Sequence, residues 1–183
     1  MENRKRWSFW KKLKWKVKAF KHIGVISILL PYGDVGVAHP MLGAFYVATM
    51  PLIAALDEER REAPFLEEVY LFASDFIEPY LYGDERVEKK GDLKRVYTEA
   101  EKFFAYLENL EQREPFASWL IRKIISSYLT DVSTAFELLY EVEKNKKFQR
   151  LGEFFIHLAF AIGDLDREEL QEAHTCMKEL INS

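Results

Sequence analysis

Apolar residues recur at three- and four-residue spacing through most of the chain. The clearest run lies in residues 92 to 113, where Leu93, Val96, Tyr97, Ala100, Phe103, Phe104, Leu107 and Leu110 fall on one side of a 3.6-residue helix. Asp92 stands where an N-cap would accept the first free N–H groups. Residues 65 to 82 repeat the spacing with Phe65, Val69, Phe72, Phe76 and Tyr80, and the pattern predicts a stop near Pro79 and Gly83. Pro115 suits the first turn of a further helix. It would carry Trp119, Leu120, Ile124, Tyr128, Val132, Phe136 and Leu139 to about Lys144, with a bend near Thr130 and Asp131. Another helix covers residues 147 to 162 and ends at Gly163. The last begins at Asp166, with Glu169 placed to complete a capping box, and runs to about Ile181. Nothing in this region alternates with period two. The expected fold is therefore all-α, a bundle of about six to seven helices with antiparallel neighbours joined by short loops.

Two segments precede that body. Residues 23 to 56 contain no Lys, Arg or Glu and form the least polar part of the chain. Their second part, Val35 to Leu56, is 22 residues long, nominally enough to cross a bilayer core of about 30 Å as a helix. Pro40 and Pro51 interrupt it, Pro31, Gly33, Asp34 and Gly36 make a turn before it, and His39 would be costly in lipid. Two buried segments fit better than one span. A basic stretch followed by an apolar run also suits a signal peptide, with small residues around Ala38. The unusual length of the basic stretch argues against that alternative.

Residues 1 to 22 change the picture more. They hold nine Lys/Arg and one Glu, a net of +8, so the other 161 residues carry −12 behind an overall charge of only −4. On a helix, Phe9, Trp10, Leu13, Val17 and Phe20 form an apolar stripe about 100° wide with most lysines outside it. Three of the four tryptophans, Trp7, Trp10 and Trp15, lie here, and Trp15 falls among the lysines. Indole on a cationic face suits a membrane interface, a nucleobase or a protein surface. The expected organisation is a cationic amphipathic helix over 1–22, an apolar segment over 23–56 and an acidic helical body over 57–183, with 21–183 as one folded unit.

Composition narrows the function classes. Length, 49% apolar content and 31% charge describe an ordinary globular domain, and Cys176 alone excludes intramolecular disulfides and cysteine-clustered metal sites. Abundant Glu and Lys beside scarce Asn and Gln match the usage of hyperthermophile proteins. There is no glycine-rich phosphate loop, His-Glu-x-x-His or nucleophile elbow, so no cofactor or metal is expected.

Two Arg/His pairs are the nearest approach to catalytic chemistry. Arg167 and His174 are seven residues apart, hence on one helix face, and Arg150 and His157 repeat the spacing. An Arg with six residues before a His resembles the pattern of the HEPN ribonucleases, all-helical proteins whose paired protomers bring such residues together. The resemblance implies Arg stabilising phosphate charge and His transferring a proton. Here the residue after Arg167 is Glu168, which would repel a phosphate.

Residues 151 to 170 are faintly similar to the second half of the all-α nucleotide pyrophosphohydrolases of the MazG type. That resemblance implies a magnesium-holding carboxylate set with Glu three places before Asp, and none of the eight Asp here has such a Glu. It therefore covers at most a fragment of the fold. Glu153 and His157, one turn apart, are placed for a hydrogen bond, an ion pair or a shared metal.

The sequence thus favours a non-catalytic binding or assembly protein, expected in the cytoplasm, with a peripheral place at the inner face of the membrane as the further option. Trp7, Trp10, Lys11, Lys12, Lys14, Trp15 and Lys18 would make contact with an anionic membrane surface. The alternatives are nucleic-acid binding, a HEPN-like ribonuclease using Arg167 and His174, and a homo-oligomerising structural subunit.

Overall fold

A computed structural model of the chain describes residues 64–82 and 91–182. The residues described are all-α and form five helices. They are α1 (Pro64–Tyr82), α2 (Leu93–Arg113), α3 (Pro115–Glu143), α4 (Lys146–Asp164) and α5 (Arg167–Asn182). The basic segment with its aromatic residues, the apolar run over 35–56 and the cleavage-site candidate at Ala38 all lie outside the described residues.

The helix ends follow local chemistry. Asp92 caps α2 by accepting from the Lys94 N–H at 2.9 Å, and Asn145 caps α4 by accepting from Lys147 at 3.0 Å. Only Glu114 separates α2 from α3; its place before Pro115 forces it out of the helical region, at φ −143° and ψ 69°. Lys144 and Leu165 close α3 and α4 in the left-handed conformation, at φ 53° and 55°. The α4 terminator is thus Leu165 and not Gly163, which remains inside the helix.

α1 passes through Pro79 and ends at Tyr82, immediately before Gly83, as the pattern predicts; a proline in the last turn forfeits only its own hydrogen bond to Asp75. α3 runs unbroken from Pro115 to Glu143, and where the bend is expected the Thr130 and Thr134 hydroxyls donate to the carbonyls of Ser126 and Thr130, bonds of the kind that often bend a helix. The capping box at α5 is half formed. Asp166 accepts from the Glu168 and Glu169 N–H groups, but the Glu169 carboxylate turns instead to His157.

Packing is antiparallel for α1 on α2, α3 on α4, α4 on α5 and α2 on α5, as their cross-contacts run in opposite chain directions. α3 and α4 approach closely because small residues face each other. Ser133 Oγ donates to the Gly152 carbonyl at 2.8 Å, and a Cβ on Gly163 would lie 2.8 Å from Ser126 Oγ. Phe72, Phe76, Phe136, Phe148 and Phe155 form an aromatic cluster where α1 meets α3 and α4.

Gly91 is fixed by the approach of the chain to α1. A Cβ there would fall 2.3 Å from Phe72 Cα and 2.5 Å from its nitrogen, while its own N–H donates to Asp75 Oδ2 at 2.8 Å. Backbone cannot yield as a side chain does. Gly91→Ala is expected to destabilise the bundle by about 1–3 kcal/mol, measured by chemical denaturation; an unchanged midpoint would show that the connection relaxes freely.

Candidate functional site

The residues singled out in α4 and α5 meet α2 and each other along two seams. On the α2/α5 seam, Arg167 forms a forked pair with Glu108, Nε and Nη2 lying 2.8–3.0 Å from its carboxylate oxygens, and stands over the Phe104 ring. His174 stacks on Tyr97, with ring centroids 4.7 Å apart and planes within 10°. The Tyr97 hydroxyl faces the Leu170 carbonyl, and burial, then the nearby Glu101, pushes its ionisation upward so that it stays a neutral donor. Arg167 and His174 thus share one side of α5, as their spacing predicts, and both are engaged by α2. The guanidinium charge that phosphate chemistry would require is matched by Glu108, with Glu168 beside it.

On the α4/α5 seam, His157 Nδ1 lies 2.7 Å from Glu169 Oε2. One end of the seam is laced by Arg150, which reaches Glu153 at 3.1 Å and Glu179 at 3.3 Å. The expected Glu153–His157 contact is replaced: Glu153 turns to Arg150, and His157 to the neighbouring helix. Arg150 and His157 are each occupied by carboxylates. Among the described residues no group of three or more His, Cys, Asp or Glu side chains is arranged to hold a metal ion.

Cations also close the C-terminus of α4. Arg122 Nη1 and Lys123 Nζ donate to the Gly163 carbonyl at 3.0 and 3.3 Å, where the helix presents unsatisfied oxygens and partial negative charge. Arg122 also pairs with Glu111, and Lys123 with Asp164. At the other end of the bundle, a cleft of about 170 Å³ is lined by Phe72, Phe76, Leu151, Leu180 and Ile181, with Lys147 at its edge. Lys147 lies over the Phe76 ring, 5.8 Å from its centre.

Two features escaped sequence reasoning. Asp131, in the middle of α3, has a buried Oδ1 with no hydrogen-bond partner, and burial raises its acid from 3.8 to about 7. Trp119 and Phe160 leave 43% and 49% of their surface exposed on the outer sides of α3 and α4. Helical spacing assigned Trp119 to the core side, whereas Phe160 carried no sequence signal.

The described residues form a framework of satisfied ion pairs in which seven Lys/Arg are bound to carboxylates. No helix among them is long and apolar enough to cross a membrane. Comparison with protein-family models, with curated proteins and with solved structures gave no match.

Proposed function

We propose that this chain is a non-catalytic binding or assembly protein whose segment 1–22 engages an anionic surface, a membrane, while the acidic bundle serves as its body. The observation that carries this reading is the separation of charge. Residues 1 to 22 carry +8, whereas residues 64–82 and 91–182 hold twelve Lys/Arg against twenty-one Asp/Glu, a net of −9. A body of that charge repels polyanions, so the anion-binding surface lies in the segment that concentrates the cations.

As an amphipathic helix, residues 1–22 would lie in the interface plane, with Phe9, Trp10, Leu13, Val17 and Phe20 in the acyl boundary and the lysines at the headgroups. Each basic residue near an anionic leaflet contributes about 1 kcal/mol, enough for several lysines to hold a protein there reversibly. This helix and a packed segment 23–56 would bring the bundle to the six or seven helices expected from sequence. The protein would be peripheral at the inner face of the membrane. The reading does not pass through Arg167 and His174, since α2 engages both.

The test uses the full chain and a variant with Lys11, Lys12, Lys14 and Lys18 each changed to Gln. Both are sedimented with vesicles of phosphatidylserine and phosphatidylcholine, and with phosphatidylcholine alone. The wild type is expected to pellet at least about tenfold more with the anionic vesicles than with phosphatidylcholine alone, and the variant to lose about tenfold or more in partitioning to the anionic vesicles. Equal pelleting of the two proteins, or none with anionic vesicles, would overturn the proposal. Retention of single-stranded RNA without vesicle binding would assign the segment to nucleic acid instead.

A further inference from the structure

We infer that the chain's own apolar segment 23–56 covers the far faces of α1 and α3, and so belongs to the folded body. Helical periodicity divides each of these helices into two sides. On α1, Phe65, Glu68 and Phe72 point to Phe103, Arg95 and the aromatic cluster. Leu66, Ser74 and Ile77 lie on the opposite side of that helix, yet they are only 0%, 7% and 0% exposed. On α3, Ser126 and Ser133 face α4. Ile124, Tyr128 and Ala135 lie opposite them and are 3%, 0% and 1% exposed.

No described helix stands over these two faces. Among the described residues, α1 packs closely only on α2, and α3 only on α4 and α2. α2 meets α3 through Ser118 and Arg122, and α1 reaches it at Phe136, all on the half of α3 that carries Ser133. Asp131 lies one turn before Ala135 on the far face, and its buried Oδ1 is hidden in the same way.

Burial within a single chain requires cover from that chain. Neither a second copy nor a lipid surface hides these side chains, so the cover comes from the stretches outside 64–82 and 91–182. Composition separates those stretches. Residues 1–22 hold nine Lys/Arg, residues 57–63 six charged groups in seven, and residues 83–90 six in eight. Laying any of them on an apolar face would strip water from charges. Residues 23–56 contain no Lys, Arg or Glu and a single Asp, Asp34, so they lose little by it. Reach agrees as well. Residues 35–56 span up to about 33 Å if helical, enough to run along α1 at about 28 Å, and residues 57–63 bridge up to about 24 Å to Pro64. Segment 23–56 then needs no lipid to bury its apolar surface, which leaves 1–22 as the part free to meet an anionic surface.

The test uses the full chain in dilute solution without vesicles, so its outcome is independent of membrane engagement by 1–22. Tyr70→p-benzoylphenylalanine and Leu138→p-benzoylphenylalanine place a photo-crosslinker at half-buried positions on the far faces of α1 and α3. Phe160→p-benzoylphenylalanine, on the outer side of α4, is the reference. Photolysis at the first two positions is expected to join them to peptides within 23–56 at the mass of one chain, with a yield at least about tenfold above the reference, since only groups in contact are captured. Hydrogen exchange of the unmodified chain is a second measurement that no replacement can perturb. Amides of residues 35–56 are expected to exchange at least about a hundredfold more slowly than in free peptide. Products at twice the chain mass, no link to 23–56 from either position, or exchange of 35–56 at free-peptide rates would each overturn the proposal.

Discussion

Phe136→Ala is expected to cost the bundle about 3–5 kcal/mol, a large part of the stability of a domain this size. The ring is fully buried in α3 and lies against Phe155 at 5.5 Å with planes 4° apart, Phe76 at 5.6 Å, Phe72 at 6.2 Å and Phe148 at 6.4 Å. Those four rings come from α1 and α4, so truncation opens a cavity where three helices meet. Each neighbour loses both apolar burial and a ring contact. Close packing of α4 on α3 through Gly152 and Gly163 limits how far the walls can collapse. Guanidinium denaturation of the variant is the measurement, and a loss below about 1 kcal/mol would show that the cluster repacks.

The second large effect is electrostatic and depends on pH. Asp131 keeps its proton in the folded protein up to about 7, whereas in the unfolded chain the group ionises near 3.8. The cause is burial. Below about pH 4 both states are protonated and the residue contributes no difference. As pH rises from 4 to 7 the unfolded chain releases the proton and the native state retains it, so stability falls; above about 7 the loss levels off. Asp131→Asn removes the titration while keeping shape. The variant should match the wild type near pH 4 and exceed it by on the order of 2–4 kcal/mol at pH 8, screening by nearby solvent lowering the upper value. A stability difference that does not change between pH 4 and 8 would refute this.

How much was legible in the sequence depended on whether a feature is set locally. The spacing of Leu93 through Leu110 and the Asp92 cap located α2 to within a residue, because an amphipathic stripe and a cap are properties of consecutive residues. Asp166 was likewise correct as the cap of α5. Glu169 was not. The same carboxylate suits a capping box and an imidazole on the next helix, and only packing decides between them. Arg167 and His174 share a helix face as spacing requires, but Glu108 and Tyr97, the groups that engage them, lie 59 and 77 residues earlier in the chain. Asp131 reads as an ordinary polar position in sequence; its surroundings become apparent only with α3 packed among its neighbours. Phe160 shows the converse, since an aromatic next to core positions gives no sign in sequence that it faces outward.

The most direct test of surface engagement by segment 1–22 is tryptophan emission from the full chain carrying Trp119→Phe, which leaves Trp7, Trp10 and Trp15 as the only indoles. The variant is titrated with phosphatidylserine-containing vesicles at low and high salt. A blue shift that weakens but persists at high salt is the predicted result, because screening removes the lysine attraction while the indoles stay buried at the interface. Emission that does not move with anionic vesicles at either salt would contradict the account.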